Sequence, residues 1–572
     1  MPSWSRAARL PRSDRRALPL RALPPRAPPL RAIPLRAPLT LALLLAACSS
    51  AGDAASIESG TTTIGESSVT APASASDTAV SSGDASGDEG GPQTTGEDDP
   101  NESVGSSEGG DPPPDIPPAE PSPEDVTKAK DIQQENQCDL QTPVSVTLRT
   151  LDAAATVSPT QARDAALSGW VSLTGIRIRP WEFFNYYAFD YPAAQPGTVA
   201  ITPQMVTVPG ESQSPEFLLQ IGVATQALAA ADRPPVRLTL ALDNSNSMTG
   251  KAQDMLRATG KALADNLRQG DTLSIVTWNS KYPTVLDLHA ITGPGDPLVL
   301  EKLDTLELGG SAELYSGLMS AYKLAVAAYD PLAWNRVLLV SDGGATANDT
   351  DLAVIREHAN KQIYLSGVGV GEAGIYRSDM IDAAAHAGRG ASLFVGSEVE
   401  ADKRFGPQFA RTLGSAVREV SAHLELPPGF EVVRDAGTLN DFGADDLSVR
   451  LGPNASLVLH RRLRSCDPQA QTNPEAKLLV RVTFIDEATG ELKEAKSAVK
   501  LSTLLADQPA ALYKGAALAA YAAALQRWQA RPADLSAARD EASMHLKAAL
   551  EVSPNDPELA EISAVLTVLD AG

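Results

Sequence analysis

The chain carries no Cys-x-x-Cys pair, and its six histidines show no metal-ligand spacing, which removes the usual zinc sites. It also lacks a Gly-x-Ser-x-Gly elbow, a Walker loop and a His-Glu-x-x-His helix, so the commonest hydrolase, nucleotidase and metalloprotease chemistries have no foothold. Asp190, Asp342 and Asp382 are isolated acids on a very acidic chain and by themselves read as solvated, so the expectation is that this is not an enzyme. Basic residues are outnumbered, 48 Lys and Arg against 71 Asp and Glu, a net charge of −23 over 572 residues. Nucleic acid is therefore excluded as a partner, because a phosphate backbone demands a clustered basic face. No apolar run is long enough to span a bilayer.

What is present begins with residues 1–47, a signal-like segment whose apolar core, Leu39 to Ala47, follows a long basic, proline-spaced stretch. That stretch is either an extended leader or the result of a start codon placed too far upstream. Leu45-Ala46-Ala47-Cys48 resembles the lipobox of bacterial lipoproteins, which implies cleavage before Cys48 and acylation of that cysteine. Ser49 is not the aspartate associated with inner-membrane retention, so the resemblance puts the protein in the cell envelope, extracytoplasmic and held only by lipid, at the outer membrane or cell surface. Residues 48–130 are rich in Ser, Thr, Gly, Asp, Glu and Pro, hold no aromatic residue, and read as a disordered acidic tether. The two remaining cysteines, Cys138 and Cys466, form either a disulfide in an oxidising compartment or two free thiols.

Beyond the tether, residues 143–235 show short β-like runs around the aromatic stretch Trp181 to Pro192, which reads as core or interface packing. From 236 to 420 apolar runs such as Val236 to Leu242 and Arg336 to Ser341 alternate with amphipathic helical stretches. Strands apolar on both faces and separated by helices predict a doubly wound, mostly parallel α/β sheet. Residues 421–504 read as a β-rich, sandwich-like lobe and 505–569 as an alanine-rich helical cap.

The chemistry concentrates at Asp243-Asn244-Ser245-Asn246-Ser247, directly after the run Val236 to Leu242. In an open α/β sheet, ligands gather beyond the carboxyl ends of the strands. Asp342 ends a second such run, and Gly309-Gly310-Ser311 supplies a third loop at the same edge. Two carboxylates and three hydroxyls suit a hard cation, with one position left for a ligand oxygen. The alternative is that Asp243, Ser245 and Ser247 only cap the following helix.

With these residues the chain resembles the von Willebrand factor type A (VWA) domain and its metal-ion-dependent adhesion site. Phe184 to Pro192, Gly309-Gly310-Ser311, Asn335 to Leu339 and Ser341-Asp342-Gly343 extend the resemblance to a bacterial envelope group with an N-terminal β segment and an uncharacterised C-terminal domain. The resemblance implies Mg²⁺ or Mn²⁺, with Ser245 and Ser247 as direct ligands and Asp243 and Asp342 bound directly or through water. The usual threonine of the third loop falls at Ser311 by one count and at Ala312 by another, and an alanine there implies weak metal binding. The function implied is capture of an exposed Asp or Glu of a partner protein through the metal; the alternative is an envelope scaffold with a degenerate metal site.

Overall fold

Residues 144–224 form strand β1 (Val144–Leu148), helices α1 (Val157–Leu167) and α2 (Pro180–Tyr186), and strands β2 (Ala200–Val208) and β3 (Glu216–Ala224). The computed structural model describes residues 139–571 apart from 149–153, 170–172, 174, 209–214, 281–282, 434–449, 468, 470–472 and 531–534. The leader 1–47, Cys48, the tether 48–130 and Cys138 lie outside the described residues. Helix α1 is buried nearly all round, nine of its eleven residues including Gln161 and Arg163, so it shows no apolar stripe from which to read a helix. The aromatic stretch supplies α2, where Phe183, Tyr186 and Tyr187 are buried.

The α/β domain follows as β4 (Val236–Leu242), α3 (Lys251–Asn266), β5 (Thr272–Thr277), β6 (Thr284–Ala290), α4 (Pro297–Asp304), α5 (Leu314–Ala327) and β7 (Trp334–Ser341). It continues through α6 (Asp349–Ala359), β8 (Tyr364–Val370), α7 (Asp379–Ala387), β9 (Arg389–Val395), α8 (Glu398–Phe405) and α9 (Phe409–Leu413). The strand order is β6-β5-β4-β7-β8-β9, parallel throughout except for the edge strand β6. This is the doubly wound α/β arrangement expected from the sequence. Val337 and Leu339 of β7 face one apolar core, while Leu338 and Val340 face the other, so the strand is covered on both sides.

The chain then returns to β structure as β10 (Val417–Leu426), β11 (Phe430–Val433), β12 (Ser456–Ser465), β13 (Lys477–Asp486) and β14 (Leu492–Lys500). Strand β10 crosses the boundary that the sequence suggests at 420, so the α/β domain ends with α9. Two antiparallel sheets, β1-β10-β13-β14 and β11-β12-β3-β2, enclose one core that includes Leu219, Ile221, Leu459, Val480 and Val482. The β-rich stretches on either side of the α/β domain thus build a single sandwich, with β12 pairing β3 at Leu459↔Ile221.

Helices α10 (Leu501–Leu504), α11 (Ala510–Ala530), α12 (Leu535–Val552) and α13 (Pro557–Ala571) complete the chain. Tyr521 of α11 packs edge-on against Phe183 of α2 at 5.4 Å. A buried charge seam joins α1 and α2 to the α/β domain: Arg179 bonds Glu182 at 2.9 Å and Asp382 at 2.6 Å, and Arg163 and Arg404 share Glu400. Such seams hold only while every charge keeps its partner.

Candidate functional site

Strands β4 and β7 are parallel neighbours, with Leu242 opposite Val340, so Asp243 and Asp342 emerge at the same sheet edge. The Asp243 N–H donates to the Val340 carbonyl at 2.9 Å, which locks the first loop to the second. The Asp243 side chain is fully buried: one carboxylate oxygen accepts the Ser341 hydroxyl at 2.7 Å and the other accepts the Ser245 N–H at 3.0 Å. Burial pushes its carboxyl pKa up, the bonds from Ser341 and Ser245 oppose that, and the charge of Asp342 adds to it.

The hydroxyls of Ser245 and Ser247 lie 3.0 Å apart. Asp342 accepts the Gly344 N–H at 2.9 Å through Oδ1, which orients its carboxylate. A Cβ placed on Gly344 would sit 3.0 Å from Asp342 Oδ1 and 3.6 Å from Ser247 Oγ, so the space shared by this carboxylate and this hydroxyl is kept clear by a glycine. Gly343 has φ +79°, and a Cβ there would lie 2.1 Å from the Arg377 carbonyl oxygen, so glycine is required for the turn itself.

The third loop is tied to the first by its backbone, through Gly309 N–H to the Asn244 carbonyl at 2.8 Å and Asn246 N–H to the Gly310 carbonyl at 3.1 Å. Ser311 is exposed beside this contact. Ala312 is half-buried, pairs with Asn279 in an isolated antiparallel bridge, and brings no side-chain oxygen. The structure therefore gathers Asp243, Ser245, Ser247 and Asp342 closely. Among the described residues it shows no hydrogen bond from Ser311 to any of them.

The capping alternative does not hold. Helix α3 starts after Gly250, with no side-chain cap, and Ser245 does not cap the short 3-10 turn Asn246–Met248. These polar side chains are thus free of a purely helical duty. Among the described residues neither Asp243 nor Asp342 has an ion-pair partner, and the Asn244 side-chain oxygen is buried without a hydrogen bond. Two adjacent carboxylates and two hydroxyls around a cleared space fit a small hard cation. Sequence reasoning missed Ser341, whose buried hydroxyl orients Asp243; its signal is a polar residue at the very end of an apolar strand run.

Elsewhere, Cys466 is disulfide-bonded. Its N–H donates to the Gly429 carbonyl at 2.9 Å, and the Gly429 N–H donates to the Asp139 carbonyl at 2.7 Å, so the start of the described chain lies against this turn. Asp190 and Asp382 are remote in role from the sheet edge: Asp382 belongs to the Arg179 seam. No helix among the described residues is long and apolar enough to cross a membrane.

No protein-family model matches the chain. It is 25% identical over 266 residues to the uncharacterized protein YfbK of Escherichia coli (strain K12), an alignment covering 44% of this chain and 45% of that protein. It is 22% identical over 210 residues to the uncharacterized protein sll0103 of Synechocystis, covering 37% of this chain and 49% of that protein. The chain thus spans about half the length of the curated relatives it matches. Among solved structures, a von Willebrand factor type A protein from Catenulispora acidiphila aligns at 16% identity and TM-score 0.39, covering 64% of this chain and 89% of that chain. The ArnB paralog VWA2 from Sulfolobus acidocaldarius aligns at 13% identity and TM-score 0.34, covering 65% and 98%.

Proposed function

We propose that the α/β domain is a VWA domain, and that the chain is a non-enzymatic binding protein of the cell envelope that captures an acidic group of a partner protein. The observation that carries this reading is the convergence of Asp243, Ser245, Ser247 and Asp342 at one strand-end edge, with Gly344 clearing the space between them. Mg²⁺ or Mn²⁺, when bound, supplies a position that accepts a partner's carboxylate oxygen. Ser245 and Ser247 offer their hydroxyl oxygens, Asp342 offers the oxygen not held by Gly344, and Asp243 supplies the buried negative charge that Ser341 holds in place. Lipid anchoring at Cys48 and a stalk over 48–130 would set this edge away from the membrane, at the outer membrane or cell surface. Ala312 favours a second reading, a scaffold whose metal edge is degenerate, because that position adds no oxygen.

Calorimetric titration of the purified protein with Mg²⁺ and with Mn²⁺ separates the two. Saturable binding that Asp243→Ala abolishes is the expected result. Absence of binding to either ion in the wild-type protein would sink the metal-dependent reading and leave the scaffold.

A further inference from the structure

Away from the metal edge, where the α/β domain meets the sandwich, a cavity is lined by Arg404, Arg411 and Arg450 together with Thr412 and Ser456. The three guanidinium groups are poorly neutralised. Arg404 bonds Glu400 at 2.7 Å, but Glu400 also serves Arg163. Arg450 reaches Glu487 at 3.2 Å, but Glu487 also serves Arg418, and the Arg450 Nε–H is buried with no acceptor among the described residues. Arg411 donates to the backbone carbonyl of Asn185 and has no ion pair among the described residues. Burial, with Arg404 adding to it, brings the Arg411 pKa down to about 10. On a chain with net charge −23, a pocket with this surplus of positive charge is out of character.

Desolvated cations without counter-ions are costly, and guanidinium N–H groups pointing into a polar cavity are suited to an anion. Size narrows the class. About 30 Å³ is open to a water-sized guest, roughly two to three times what one water requires. That space admits a halide and excludes an organic phosphate.

We propose that this cavity is a binding site for a monovalent inorganic anion of halide size, chloride being the natural occupant, and that the ion fastens the α/β domain to the sandwich through Arg411 and Arg450. The site is independent of the metal edge and stands whether or not that edge binds a cation.

Thermal unfolding of the full-length protein at fixed ionic strength, with sodium chloride replaced stepwise by sodium gluconate, tests it. Gluconate is too large for the cavity. The expected result is a midpoint that rises with chloride as mass action requires of a single native-state site, a response lost in Arg411→Met, and an anomalous peak between Arg411 and Arg450 in crystals grown with bromide. Equal midpoints in both salts, or an undiminished chloride response in Arg411→Met, would overturn the proposal. If Arg411→Met fails to fold, the bromide map of the wild-type protein decides, and an empty cavity there overturns the proposal equally.

Discussion

Two regions of this molecule concentrate buried or half-buried charge, and they do it in opposite ways. In the seam between α1–α2 and the α/β domain, Glu182, Asp382 and Glu400 each meet an arginine within 2.9 Å. At the strand-end edge, Asp243 and Asp342 meet only hydroxyls and backbone amides. The seam closes its charge inside the protein and is architecture. The edge leaves negative charge unmatched beside solvent, an arrangement that costs stability in the free protein and is repaid when a cation arrives.

The largest effect that tests this contrast is in the seam. Arg179→Met leaves Glu182 and Asp382 buried without their cation, and the expected loss is about 3–5 kcal/mol in urea unfolding. A loss below about 1 kcal/mol would mean that the seam is dispensable and the contrast false. At the edge the order reverses, with function hit harder than fold. Ser341→Ala removes the hydroxyl that holds Asp243, and by analogy with other residues that orient metal ligands it is expected to weaken Mg²⁺ binding about 10- to 100-fold in calorimetry. The stability change should stay within about 1–3 kcal/mol.

A third variant asks how burial without pairing behaves. His460 bonds Gln220 at 2.9 Å, and burial, helped by Arg461 and His545, lowers its pKa to about 3. The folded pKa is below the unfolded one, so as the pH falls the unfolded chain takes the proton first. Stability should therefore decline from about pH 6.5 downward, by up to roughly 1 kcal/mol per pH unit. His460→Gln should flatten that decline between about pH 6.5 and 5 in urea titrations at each pH, and an unchanged slope would assign the decline to other groups.

The doubly wound core was legible because β4, β7 and β8 are apolar on both faces and alternate with helices. The Asp-x-Ser-x-Ser edge was legible because residue type and strand end coincide. Other features left no local trace. Helix α1 hides its period by being buried on nearly every side, and β6 is short, antiparallel and mostly exposed. The sandwich joins β3 to β12 across the whole α/β domain, a pairing that no window of sequence displays. Ser341 read as the end of a strand because nothing local says that its hydroxyl faces Asp243.

Ala224 of β3 lies opposite Ser456 of β12, some 230 residues later. Contacts between such distant segments form late, because the entropy of closing the intervening chain is spent before they return anything. The α/β strands are joined by short local crossovers and need no part of the sandwich to pair. Synthesis and topology then favour the same order of events: the metal edge is assembled while half of its supporting sandwich has yet to emerge, and the closing of β12 onto β3 marks the end of folding.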